Sequence, residues 1–234
     1  MKSLILLLLL LSPLREVVDV QLSIPTHQHE IFCNYSNDNF SQEVFYDRTR
    51  DEITAHIKNS NFLTLNLNFR IMPNNEFIAC LSPELRETIF DLLDNCFNFD
   101  IYFDNISSFL KKHITYCDNN LPQDPASVII NKKANCKGYS NLVRVLLKAA
   151  GIKSKIVKGF YLTKDTKRNK NNTLIPIPHR WVEIYLSNEI KFFYDPQYQR
   201  FSFNYLTTRN DINFKRVKKF KVNIIKKSKK IVNQ

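Results

Sequence analysis

Hydrophobic and polar residues alternate along residues 62–72, with Leu63, Leu65, Leu67, Phe69 and Ile71 set against Thr64, Asn66, Asn68 and Arg70. A period of two over such a run predicts a strand with one buried and one wet face, ended by Pro73-Asn74-Asn75. The period then changes. Ser82-Pro83-Glu84 supplies a capping hydroxyl, a first-turn proline and an acid near the positive end of the dipole. Leu85, Ile89, Leu92 and Leu93 follow as a helical stripe. A second helix is expected after Asp104, with Ile106, Phe109, Leu110 and Ile114 inward, and Pro122 and Pro125 break it. A short helix carries Val128 and Ile130. A third runs from about Cys136 to Ala150, with Leu142, Val143, Leu146, Leu147 and Ala150 on one face and Gly151 as its stop. Strands are expected at 154–162, 180–187 and 190–195, with a charged loop over 164–173 before His179. Residues 19–61 are mixed and polar and carry no assignment. No internal repeat is evident.

Helices followed by strands make this an α+β chain. At 234 residues it is long enough for one good core and a small appended region. Four segments are expected: a signal peptide or N-terminal anchor at 1–18, a β-containing region at 19–80, a catalytic core at 81–205, and a basic strand and tail at 206–234. The first rests on residues 4–11, all Leu or Ile after a lysine, a run too short to span a bilayer. Export follows from it, to the periplasm, the envelope or the medium. No later segment is apolar enough to cross a membrane.

The net charge is +12, from 34 basic and 22 acidic residues, and nine of the sixteen residues at 215–230 are Lys or Arg. Such a surface favours anionic partners, here an envelope polymer or a membrane surface. The plainer reading is a solvated strand and tail. Specific nucleic-acid binding is disfavoured, because Phe214 and Phe220 are the only aromatics near the run. The five cysteines, at 33, 80, 96, 117 and 136, contain no Cys-x-x-Cys pair. No zinc site and no cofactor is therefore expected. In an oxidising compartment an antiparallel pair of helices would place Cys80 and Cys117 at one end, which favours that disulfide.

Cys136, His179 and Asp195 are the candidate catalytic residues. A thiol at a helix start gains from the helix dipole, and a nearby imidazolium favours its thiolate. Its own backbone N–H is available to a developing oxyanion. His179 and Asp195 fall on consecutive strands joined by Ser187-Asn188-Glu189. An antiparallel hairpin returns Asp195 to within two or three residues of His179, where a carboxylate can orient an imidazole.

The stretch 106–196 resembles the transglutaminase-like superfamily, whose core is papain-related. The resemblance is carried by Ile114-Thr115-Tyr116, by Cys136, by Gly151-Ile152 after the helix, by His179-Arg180-Trp181-Val182-Glu183 and by Asp195-Pro196. Ala134 stands where the family usually has glycine, and Arg180 where a small residue is common. The resemblance implies helices packed on an antiparallel sheet, with the nucleophile at a helix N-terminus. It implies acyl transfer from a peptide or side-chain amide through a Cys136 thioester, with Trp181 and Arg180 on the substrate side. Hydrolysis is the favoured outcome, because family cross-linkers often use a tryptophan upstream of the cysteine and the only tryptophan here is Trp181. The alternatives are a protein-glutamine cross-linking acyltransferase and a non-catalytic envelope-binding module on the same fold.

Overall fold

The computed structural model describes residues 14–23, 30–47, 52–60, 69–118, 120–164, 173–188, 190–201, 205–209, 211–214, 217 and 220–231. The apolar run at 4–11, most of the strand expected at 62–72 and the loop expected at 164–173 lie outside the described residues, apart from their ends. The elements are β1 (Leu14–Ser23), β2 (Tyr35–Ser36), β3 (Phe40–Asp47), β4 (Glu52–Ser60), α1 (Asn75–Ala79), α2 (Pro83–Leu93), α3 (Phe99–His113), β5 (Thr115–Tyr116), α4 (Pro125–Asn131), β6 (Lys133–Ala134), α5 (Cys136–Ala149), β7 (Lys153–Lys164), β8 (Thr173–Tyr185), β9 (Lys191–Tyr194), β10 (Tyr205–Thr207) and β11 (Lys221–Ile231). The chain is α+β. It forms two compact units that are discontinuous in sequence. One comprises 1–63, 159–178 and 201–234, the other 64–158 and 179–200.

The first unit is all β among its described residues. Its strand order is β10-β7-β8-β11-β1-β4-β3-β2. On β1, Val18, Val20 and Leu22 are buried, and they pair with Ile57, Ala55 and Ile53 of β4, also buried. Leu22 meets Val222 of β11 on its other side. This alternation lies in the polar stretch 19–61, where no strand is expected from sequence. Each fully buried aliphatic side chain contributes roughly 1.5–3 kcal/mol. The basic C-terminal segment is therefore a sheet strand between β1 and β8.

The sheet curls until its ends meet. Phe32 bridges Thr208, and Arg209 N–H donates to Ile31 C=O at 3.0 Å. Gln42 of β3 has no solvent exposure and completes the join. Its Oε1 accepts from Thr207 N–H at 2.8 Å. Its Nε2 donates to Thr207 C=O at 3.1 Å and to Cys33 C=O at 2.8 Å. The side-chain amide thus acts as a strand backbone where β3 and β10 do not pair directly. The result is a sheet curled into a barrel, joined at this seam by one bridge and these hydrogen bonds.

The second unit holds the five described helices. Their starts are capped by side chains: Asn74 for α1, Ser82 for α2, Asn98 for α3, Asp124 for α4 and Asn135 for α5. The Asn98 cap corrects the start expected after Asp104. Asn98 Oδ1 accepts from Ile101 N–H at 3.0 Å, and Phe99, Tyr102 and Phe103 extend the buried stripe by one and a half turns. Residues 69–72 are not a strand either; Arg70 forms a single bridge to Asn98. α5 is the central helix, with Leu142, Val143, Leu146 and Leu147 fully buried. It ends at Gly151, whose φ of 76° needs glycine, and a Cβ there would meet Met72 O at 2.4 Å. α3 packs on β9 through Phe103 against Tyr194, with ring centroids 4.6 Å apart, and Phe99 against Phe192 at 6.2 Å. All five cysteines are free thiols, so Cys80 and Cys117 do not form the disulfide expected for an oxidised chain.

Replacing Gln42 with Ala leaves the Thr207 N–H and the carbonyls of Thr207 and Cys33 buried without this partner. Each unmade bond costs about 1–3 kcal/mol. Gln42→Ala is expected to lower unfolding stability by on the order of 3 kcal/mol, read from the urea midpoint at unchanged slope. A loss below about 1 kcal/mol would show that the seam does not depend on this side chain.

Candidate active site

Cys136 is the first residue of α5 and is half-buried. Asn135 Oδ1 accepts from Lys137 N–H at 3.0 Å and from Gly138 N–H at 3.3 Å. The cap therefore occupies the second and third helical donors and does not take the Cys136 N–H. The approach to the helix is also fixed. Tyr116 of β5 pairs in parallel with Ala134 of β6, and Cys117 N–H donates to Ala134 C=O at 2.8 Å. Tyr139 OH donates to Ile114 C=O at 2.7 Å.

Gln123 is a further support that the sequence reading missed. Its side-chain Oε1 accepts from Asn135 N–H at 2.9 Å, its Nε2 donates to Leu121 C=O at 3.0 Å, and Asn141 Nδ2 donates to its backbone carbonyl at 2.8 Å. This explains Gly138. A Cβ there would sit 2.2 Å from Gln123 Oε1 and 2.9 Å from Ala134 Cβ. The glycine makes room for the residue that holds the nucleophile's neighbour. No motif marks Gln123; its only trace in the sequence is the glycine opposite it.

His179 lies on β8 and is buried. β8 begins at Thr173, well before the expected 180, so His179 sits inside the strand. Val182 pairs with Tyr194, and one further step of that register sets Asp195 opposite Trp181, two residues from His179 on the same face. The expected offset is closed by side-chain reach: His179 Nε2–H donates to Asp195 Oδ2 at 2.7 Å. Asp195 has no solvent exposure. Its Oδ1 accepts from Gln197 N–H at 2.9 Å and Tyr198 N–H at 3.4 Å. A tight return to Arg200, with Asp195 N–H donating to Arg200 C=O at 2.9 Å and Gln199 at φ 50°, shapes that turn.

His179 pairs with Asp195 through Nε2, which leaves Nδ1 for the Cys136 thiol. Burial alone would lower the imidazole pKa. Hydrogen bonds to Asp195 and Cys136, and the charges of both, outweigh it and raise the pKa to about 9. The ring lies between Trp181, at 6.2 Å and 25°, and Tyr198, at 5.7 Å and 34°. Tyr116 is also a neighbour: its pKa is raised by burial and then by the negative charges of Asp118, Cys136 and Cys117.

The two residues expected on the substrate side are placed otherwise. Trp181 has no accessible surface and packs on Phe193 at 5.7 Å, so it backs His179 from within the protein. Arg180 follows His179 on a strand and so turns to the opposite face. The exposed rings near the thiol and imidazole are Tyr116 and Tyr198. Among the described residues no cluster of three or more His, Cys, Asp or Glu side chains could hold a metal.

The raised His179 pKa has a definite sign in stability. A group whose folded pKa exceeds its unfolded value stabilises the fold fully below about 6.5 and loses that contribution as pH rises through about 9. His179 is therefore expected to titrate near 9 by NMR, and Asp195→Asn to move it down by at least one unit. Titration of the wild-type ring below 7 would contradict the geometry. Gly138→Ala is expected to slow iodoacetamide alkylation of Cys136 at least threefold. Adding Gln123→Ala should cost less than the sum of the single changes, since both act on one contact. Strict additivity would separate the two residues.

No curated protein matches the chain. Among solved structures it is similar to a candidate cysteine protease from Cytophaga hutchinsonii, at 11% identity and TM-score 0.46, over 93% of this chain and 88% of that one. It is also similar to the periplasmic domain of TgpA from Pseudomonas aeruginosa, at 11% identity and TM-score 0.46, over 78% and 88%. Residues 102–198 match the family model of the Transglutaminase-like superfamily, a span that contains Cys136, His179 and Asp195. Residues 102–198, about two fifths of the chain, are thus the part that resembles this superfamily.

Proposed function

We propose that this protein is an exported thiol hydrolase that cleaves peptide or side-chain amides through a Cys136 thioester. The observation that carries the reading is a buried imidazole bonded to Asp195 at one nitrogen, with the helix-start thiol of Cys136 near enough to help raise its pKa. His179 takes the thiol proton, and the sulfur attacks the amide carbonyl. The Cys136 N–H, outside the cap's bonds, faces the oxyanion that forms. Imidazolium then protonates the leaving amine, and the thioester remains. His179 next takes a proton from water, the resulting hydroxide attacks the thioester, and the acid leaves as the thiol is restored. Asp195 keeps the ring oriented throughout.

Water is favoured over an amine as acceptor because Trp181, the only tryptophan, is buried behind His179 and not placed upstream of Cys136. Export rests on the apolar run at 4–11. An exported enzyme of net charge +12 would meet anionic envelope polymers or membrane surfaces, where the basic β11 supplies exposed lysine such as Lys226.

The test is turnover of a quenched glutamine-containing peptide mixture by the full chain, with and without dansylcadaverine. Cys136→Ala is expected to abolish turnover. His179→Ala and Asp195→Asn should lower kcat by about 10²–10⁴. Products should be free acids. Predominant dansyl adducts would make the protein a cross-linker, and turnover surviving in Cys136→Ala would overturn the thioester.

A further inference from the structure

We propose that the β-barrel unit binds a medium-chain fatty carboxylate, with its chain inside the barrel and its head on Lys227. The barrel is packed unevenly along its length. One end is plugged by aromatic rings: Phe160 meets Phe214 at 5.2 Å, Phe220 at 4.9 Å and Phe32 at 6.2 Å. The other end holds a cavity of about 260 Å³, lined by Val18, Ile57, Leu162, Leu174 and Ile224, with Tyr161, Thr163 and Lys227 as its polar described lining. All of these residues belong to the barrel unit. The mouth of a barrel of this size is a recurrent place for one small apolar ligand.

A β-bulge decides which lysine lines the mouth. From Leu22 to Val20, β1 pairs with β11 residues Val222 to Ile224. The register then slips at Asp19/Val20, so that Asp19 meets Lys226 and Val18 meets Lys227. Ile225 is the extra residue and is exposed. Bulges re-aim side chains in this way at barrel rims. The slip sends Lys226 to the face of Asp19, which is also bonded to His56 of β4. It sends Lys227, which is exposed, to the side of Val18 and Ile57, at the rim of the mouth.

The occupant follows from this lining. Aliphatic walls reject a polar ligand, because its groups would lose their hydrogen bonds to water. One ammonium at the rim favours a single anionic head. The volume holds about nine water-sized groups at roughly 30 Å³ each. That is the bulk of a chain of about eight to ten carbons, too small for a two-chain lipid.

The test is isothermal titration of the full chain with decanoate, decanol and decyltrimethylammonium, below their micellar concentrations. Decanoate is expected to bind one to one, at least tenfold tighter than decanol, and the cation not at all. From hexanoate to decanoate the affinity should rise about fourfold per methylene and then level off. Lys227→Gln should erase the preference for decanoate over decanol while leaving decanol affinity unchanged. Leu162→Trp, and separately Ile224→Trp at a half-exposed position, should block both ligands. Equal binding of decanoate and decanol, several ligands per chain, no binding, or unchanged binding in a folded Trp variant would each overturn the proposal.

Discussion

A carboxylate with no access to solvent must find its hydrogen bonds inside the protein, and Asp195 finds them at both oxygens. One oxygen takes the His179 ring, and the other takes two backbone N–H groups of the turn that follows. A charge stripped of water is tolerated only when satisfied in this way. The rest of the site follows from that requirement. The β8–β9 register sets the distance, the return to Arg200 aims the amides, and Trp181 and Tyr198 hold the ring that Asp195 orients. The imidazole is thereby fixed at one nitrogen before any substrate arrives.

The nucleophile is fixed by a separate set of contacts. Asn135 caps α5, Gln123 holds Asn135, and Gly138 leaves space for Gln123. Neither set shares a side chain with the other. Thiol and imidazole can thus be perturbed one at a time, which makes their coupling measurable. The barrel unit solves a different problem with similar means. Gln42 supplies backbone-like hydrogen bonds at the seam, and a bulge in β11 chooses which side chain faces the interior.

Local chemistry was legible in the sequence wherever a short run of residues determines it. Ser82-Pro83, Asp124-Pro125 and Gly151 mark helix ends because capping is a matter of a few adjacent atoms. Cys136, His179 and Asp195 stood out by residue type and position; the structure bonds His179 to Asp195, and Cys136 contributes to the raised pKa of the same ring. What was not legible depends on distant parts of the chain. Val18, Val20 and Leu22 alternate with Asp19 and Gln21, yet their run is short, and β1 gains its meaning only from β11 some two hundred residues later. Gln123 has no motif. Trp181 was expected on the substrate side from the family resemblance, but strand periodicity does not say whether a face is open or covered. Tyr198 could have been suspected, since it follows Asp195-Pro196 closely enough to close an Asx-type turn.

The claim that Cys136, His179 and Asp195 act as one unit is tested most directly by acylation from p-nitrophenyl acetate, followed by rapid quenching and peptide mass mapping. The account predicts that acetyl appears on Cys136 ahead of the exposed Cys80, is lost with turnover in the wild type, and persists in His179→Ala. Label distributed among the cysteines by exposure, or deacylation at the same rate without His179, would contradict it.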